Sequence, residues 1–264
     1  MSALDTLRVG RLPYLNAWPF HQDFTASFSL SSIWVAAPPR RLGELAARGT
    51  LDAALLASRD AFALQDRYRP LGDLGIACAG PVRSVLLLSR VPAERLSGRR
   101  VSLTGHSRTS RALLRILLAD AFGLRGVEYG EGPASDACLV IGDDALAQRA
   151  SGAWPFVLDL GDAWLRFTGL PFVYARWVVR RDVPAERARA LADALVRSLE
   201  APLDLVGAPR PTCMTPDDAR RYLAHFVYRL GPAEQAGLRR FHRELLRHDL
   251  LRHHRERVAI GSAA

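Results

Sequence analysis

The stretch Thr104-Gly-His-Ser-Arg-Thr-Ser110 gathers the hydroxyls of Thr104, Ser107, Thr109 and Ser110 into one short polar run. It follows Arg99-Arg-Val-Ser-Leu-Thr104, which reads as a strand, and from Ser107 the pattern turns helical. Leu114, Leu117, Leu118, Ala121 and Phe122 fall on one face, and Gly123 supplies the stop. A helix beginning here offers unpaired N–H groups and the positive end of its dipole, so hydroxyls at its start suit a carboxylate. Ser107 or Thr109 can equally serve as a plain helix cap, and one hydroxyl can cap while the others bind. His106 in the same loop has the chemistry of a general acid or base, or is simply a solvent-facing loop residue.

Two further stretches leave strands with polar groups. Gly10-Arg-Leu-Pro-Tyr-Leu-Asn-Ala-Trp-Pro-Phe20 breaks the first strand with a proline turn and sets Asn16 at its tip. An asparagine amide donates and accepts at once, which suits a ligand, and it also suits an ordinary turn. In Gly80-Pro-Val-Arg-Ser84, Arg83 and Ser84 are placed to face a cleft. After the strand Ala137-Cys-Leu-Val-Ile141 come Gly142 and the acidic pair Asp143-Asp144, of which Asp144 is a candidate helix cap.

Elements must hold these groups in place. Leu7 to Leu12 reads as a strand and a second follows near Phe28 to Ala36. Pro38 to Gly49 begins with proline and stops with glycine like a short helix, and Leu51 to Ala57 returns as a strand. Strand, helix and strand in that order predict a parallel crossover and a sheet covered by helices. Two long strands, Val82 to Ser89 and Phe172 to Arg180, bracket a middle α/β block. The remainder reads as helical: Pro184 to Glu200, then a helix capped at Thr215 and running to Gly231, then another from Pro232. The late helices need a sheet to pack on, which returns the chain to the first lobe. The expectation is a discontinuous first lobe, residues 1–84 and 177–264, and an inserted second lobe, residues 85–176, joined by two crossing strands. A ligand cleft is expected between the lobes.

With 264 residues, 49% of them apolar, the chain can bury one large core or two smaller ones. Its 36 basic residues, all arginine, outnumber 27 acidic ones for a formal charge of +9, which draws in an anion. Charge alone does not separate a small anion from nucleic acid. The basic stretch Arg239-Arg-Phe-His-Arg-Glu-Leu-Leu-Arg-His248 has Leu238, Phe241 and Leu245 at helical spacing, so it reads as an amphipathic helix with a solvated face and no nucleic-acid partner is expected. No apolar run approaches the roughly 20 residues of a membrane span, and the opening residues lack the pattern of a secretory signal. Cys78, Cys138 and Cys213 are widely spaced and show no metal-ligand spacing. A cytoplasmic chain with reduced thiols and no metal is expected.

The ordered set Gly10-Arg-Leu-Pro-Tyr-Leu-Asn16, Leu51-Asp-Ala-Ala-Leu-Leu-Ala-Ser58, Gly80-Pro-Val-Arg-Ser84, Ser107-Arg-Thr-Ser110, Ile141-Gly-Asp143 and Thr168-Gly-Leu-Pro-Phe172 resembles chorismate dehydratase of the futalosine route to menaquinone. The resemblance covers residues 7–180. It implies an α/β fold of the type II periplasmic-binding-protein kind, in agreement with the two lobes read from strand order. It also implies a hydro-lyase that converts chorismate to 3-[(1-carboxyvinyl)oxy]benzoate and water without cofactor or metal. On that basis Asn16 and Ser84 are the expected catalytic residues, and Arg83, Ser107, Thr109, Ser110, Gly142 and Asp143 the expected substrate-binding ones. The sister enzyme 1,4-dihydroxy-6-naphthoate synthase shares the fold with a different opening motif, and a non-catalytic cytosolic anion-binding protein is the alternative from another class. The sequence gives no oligomeric state.

Overall fold

A computed structural model describes residues 6–22, 32–132 and 136–251. The chain opens with strand β1 (Leu7–Arg11), a 3-10 turn over Leu15–Phe20, and strand β2 (Ser32–Ala36); residues 28–31 of the expected second strand lie outside the described residues. Helix α1 (Pro39–Ala47), strand β3 (Ala53–Ala57), helix α2 (Ser58–Ala63) and strand β4 (Tyr68–Cys78) follow. The middle of the chain forms strands β5 (Val85–Ser89) and β6 (Arg100–Ser102), helix α3 (Arg108–Ile116), which widens into a π turn over Leu117–Ala121, and strands β7 (Glu128–Gly130) and β8 (Ala137–Ile141). Helix α4 (Gly142–Ala150), strand β9 (Phe156–Asp159) and helix α5 (Leu160–Thr168) complete that block. Strand β10 (Phe172–Arg180), helices α6 (Ala185–Glu200) and α7 (Pro216–Leu223), strand β11 (Phe226–Arg229) and helix α8 (Pro232–Arg247) close the chain.

Two sheets result. One has six strands in the order β11-β4-β10-β3-β1-β2, and the other five in the order β7-β6-β8-β5-β9. In the first, β1 runs parallel to β2 and β3 while β10 is antiparallel to β3 and β4. In the second, β6 runs parallel to β7 and β8 while β5 is antiparallel to β8 and β9. β10 explains its own central place: Phe172-Val-Tyr-Ala-Arg-Trp-Val-Val179 is nearly continuously apolar, as a strand covered on both faces must be. Trp177 within it is fully buried, with Phe20 set edge-on at 5.7 Å between ring centroids.

Two expectations need correcting, and one strand had not been expected. Residues 172–176, assigned from sequence to the inserted lobe, hydrogen-bond in the first sheet from Phe172 onward, so the chain re-enters that sheet before residue 177. The helix capped at Thr215 stops at Leu223 and does not reach Gly231, because His225-Phe-Val-Tyr228 is aromatic and β-branched and pairs with the edge of β4. Strand β4 was not legible at all: Pro70, Gly72, Asp73 and Gly75 interrupt its pattern, and its pairing with β10 carries register shifts that absorb them.

The chain passes between the sheets twice, through residues 79–84 and through α5, and one side chain ties both passages. The Asp159 carboxylate accepts the N–H groups of Val82 (3.0 Å), Arg83 (2.7 Å), Gly161 (2.9 Å) and Asp162 (3.3 Å). Here only glycine fits at 161, because a Cβ would stand 2.5 Å from the Gly80 carbonyl oxygen. The three cysteines are free, with Cys78 buried. No helix among the described residues is long and apolar enough to cross a membrane.

Candidate active site

The parallel strands of both sheets direct their carboxyl ends toward one seam, the place where α/β folds bind ligands. From β1 the chain enters the Leu12–Asn16 loop; β2 leads to Pro39, β3 ends at Ala57, β6 leads to Ser107, and β8 ends at Ile141 and Gly142. These residues, with Ile76, Ser84, Val85, Thr109, Ser110, Tyr174 and Ala175, line a cavity of about 50 Å³. That is well below the roughly 300–1,000 Å³ of a typical ligand pocket, so the lobes stand closed on each other.

Several bonds hold them so. The Arg40 N–H donates to the His106 carbonyl at 2.9 Å, and the Arg59 N–H to Thr109 Oγ1 at 3.0 Å. Arg108 of the second lobe reaches Glu44 (3.2 Å) and the fully buried Asp60 (3.5 Å) of the first.

At the start of α3, Ser107 is the N-cap: its Oγ accepts the Ser110 N–H and the Ser110 hydroxyl, both at 3.1 Å. Capping and cavity lining therefore coincide in one residue. Thr109 Oγ1 already accepts from Arg59, which leaves its own proton to donate. Ser84 is 1% exposed and accepts the Tyr222 hydroxyl at 2.7 Å; its own proton has only a long contact, 3.4 Å, to the Val82 carbonyl.

Facing these donors, Asn16 Oδ1 is buried and has no hydrogen-bond partner among the described residues. The Tyr174 hydroxyl is buried and unpartnered too, and Tyr174 lines the same cavity. Buried polar atoms are rarely left so unless something else completes them. Sequence reasoning missed Tyr174 because it sits inside an apolar strand and reads as core; its only signal is a hydroxyl in a run that otherwise has no use for one.

Gly142 is on the cavity wall with φ +63, against the Tyr14 ring, where an added Cβ would come within 3.0 Å. Asp143 stands beside the lining and accepts the Leu15 N–H; burial, and after it Asp144, pushes its carboxyl up to about 6. Tyr14 is raised to about 12 by its burial, with Asp143 and Asp144 adding to it, so it stays a neutral phenol. Arg83 is not brought in. Its backbone is held at φ 64 by Asp159, and its guanidinium turns to His225, Nη2 to Nε2 2.9 Å. His106 is also absent from the lining and its carbonyl is engaged with Arg40.

A larger groove, about 610 Å³, lies between α6, α7 and β11, but none of its lining residues carries a buried unpartnered polar atom among the described residues.

A profile described as menaquinone biosynthesis matches residues 7–246. The chain belongs to the menaquinone biosynthesis family. Within that family, a Thermus thermophilus protein named chorismate dehydratase is 32% identical over 228 residues, 78% of this chain and 83% of the relative. Among solved structures, a protein of Archaeoglobus fulgidus superposes with TM-score 0.73 at 18% identity, covering 94% of this chain and all of that one. The periplasmic aliphatic sulphonate binding protein of Escherichia coli gives TM-score 0.58 at 16% identity over 94% of this chain and 88% of its own. A Candida albicans protein described as having the generic periplasmic binding protein fold gives 0.60 at 11% identity over 93% and 95%. This member of the menaquinone biosynthesis family thus has the periplasmic-binding-protein fold, two α/β lobes with the seam between them.

Proposed function

We propose that this chain is a chorismate dehydratase, a hydro-lyase of the futalosine route that works in the cytoplasm and converts chorismate to 3-[(1-carboxyvinyl)oxy]benzoate and water. The observation that carries the reading is the buried, unpartnered Asn16 Oδ1 sharing one interlobe cavity with the hydroxyl-rich start of α3. Chorismate matches both: a ring carboxylate for Thr109, for Ser107, whose proton is free while the Ser110 hydroxyl donates to it, and for the helix amides, and a ring hydroxyl and enolpyruvyl group for the Asn16 end.

The reaction removes a ring proton and the neighbouring hydroxyl, and the ring becomes aromatic. The proton lost is vinylogous to the ring carboxylate, so donors fixed on that carboxylate stabilise the charge that develops there. No redox step is involved. Among the lining residues there is no carboxylate and no imidazole, and Asp143 is spent on Leu15. In this reading the enolpyruvyl carboxylate of the substrate takes the ring proton, with Asn16 orienting it and Ser84 donating a hydrogen bond. Replacing His106 or Asp143 then leaves turnover measurable.

Incubation of the purified protein with chorismate tests the assignment. Loss of one water with appearance of an aromatic, carboxyvinyl-bearing product supports it. Chorismate bound but returned unchanged would point to a non-catalytic binding protein, and chorismate neither bound nor changed to the sister naphthoate synthase.

A further inference from the structure

We propose that Tyr222 and Tyr228, from the α7–β11 segment, are positioning residues of the cavity: Tyr222 aims the Ser84 hydroxyl and Tyr228 holds the backbone of Asn16. The inference rests on the dehydratase reading for its kinetic consequences, but its structural content stands on distances alone. The Tyr222 hydroxyl donates to Ser84 Oγ at 2.7 Å across 138 residues of sequence, in a buried setting. The Tyr228 hydroxyl donates to the Asn16 carbonyl at 3.1 Å. Two residues that line one cavity wall are thus each held by a phenol from the same short segment.

The segment is built for this. Thr215 and Asp218 form a reciprocal capping box at the start of α7, with Pro216 in the first turn, so the helix begins at a fixed place. One turn in, Ala219, Tyr222 and Leu223 are buried. Phe226 stacks edge-on with Tyr222 at 5.1 Å, and Phe20, at the end of the turn that carries Asn16, stacks edge-on with Tyr228 at 5.4 Å. Both rings are locked by packing, which leaves each hydroxyl one direction to point.

The chemistry follows from donor counting. A phenol that donates to Ser84 Oγ occupies one lone pair of the serine and leaves its proton unclaimed except for the long Val82 contact. Ser84 then presents a donor to the cavity it lines. Both phenols stay protonated, since burial raises each above its ordinary value.

The test is a pair of double-mutant cycles read in kcat and KM on chorismate. Tyr222→Phe is expected to lower kcat about three- to tenfold with KM nearly unchanged, and to do nothing further in the Ser84→Ala background. A merely structural role would instead lower the melting temperature and act additively with Ser84→Ala, which would overturn the inference. Tyr228→Phe against Asn16→Ala is the second cycle, with the same expectation, and serves if Tyr222→Phe does not fold. A crystal structure of each tyrosine variant gives a readout that needs no turnover. Displacement or splitting of Ser84 Oγ in Tyr222→Phe, or a shift of the Asn16 carbonyl in Tyr228→Phe, is expected. Unmoved atoms in the folded variants would overturn the positioning role whether or not chorismate is the substrate, whereas absent turnover by the parent with displaced atoms would count against the dehydratase reading alone.

Discussion

Thr109 Oγ1 accepts the backbone N–H of Arg59 at 3.0 Å, so the first turn of a helix in one lobe is hydrogen-bonded to the start of a helix in the other. Both groups are buried. Thr109→Val removes the acceptor and strands a buried N–H, which costs roughly 1–3 kcal/mol; Thr109→Ser keeps the oxygen. Denaturant unfolding of the two variants is expected to separate them by that amount, and equal stabilities would mean that the lobes do not depend on this bond.

The ligand role proposed for the same residue is read separately. Thr109→Ala is expected to weaken product affinity about ten- to hundredfold, the worth of one hydrogen bond to a charged group at roughly 1.5–3 kcal/mol, and Ser110→Ala, which removes the hydroxyl that orients Ser107 Oγ, to weaken it less. Their kcat should fall less, because the carboxylate assigned to this site under the proposed function is already charged in the ground state. Titration calorimetry with product, set beside steady-state rates, decides.

Tyr174 should respond with opposite signs. Its hydroxyl is buried without a partner, so Tyr174→Phe relieves an unsatisfied group and should leave the empty protein as stable or more so. Ligand affinity should drop several-fold if that hydroxyl completes its bonding with substrate. A thermal melt with and without product measures both; a variant less stable when empty and unaltered in affinity would show that the hydroxyl serves the fold.

Asp143 carries a pH dependence. Its carboxyl is raised from 3.8 to about 6, first by burial, so between those values the folded chain holds more protons than the unfolded one. Its contribution to stability is fully present below the ordinary value and lost as the pH rises through about 6. Asp143→Asn cannot lose it. The variant should melt with the parent near pH 4 and above it at pH 7, and a constant offset across that range would contradict the assignment.

At about 50 Å³ the cavity is too small for the proposed substrate, so under that proposal the lobes part to admit it. Small-angle scattering of the protein alone and with saturating product should show a larger radius of gyration in the empty state; identical curves would count against lobe movement.

How much of this was legible in the sequence varied with how local the cause was. The capped, hydroxyl-rich start of α3 could be read because its strand, hydroxyls and helix lie within a few residues of one another, and the capping rule acts over three. Asn16 could be read as a polar tip on a strand exit. Arg83 could not: its direction depends on Asp159, 76 residues away. Tyr222 and Tyr228 escaped for the same reason, since their partners Ser84 and Asn16 lie 138 and 212 residues off. β11 was hidden because the cap at Thr215 announces a helix, and the only local sign of its end, the aromatic and β-branched run Phe226-Val-Tyr228, fits a helix face as well as a strand until its pairing is known. Its edge pairing with β4 is a tertiary fact.

The most direct measurement is steady-state turnover of chorismate by the parent and by Asn16→Ala, with product affinity determined for each. The parent should release an aromatic carboxyvinyl product and one water. Asn16→Ala, folded and still binding product within a few-fold, should lose about ten- to hundredfold in kcat, the worth of a hydrogen bond to a charged group that strengthens as the proton moves. A parent that binds chorismate and returns it unchanged, or an Asn16→Ala variant that loses affinity while its kcat is intact, would contradict the assignment of this cavity as a dehydration site with Asn16 at the reacting end.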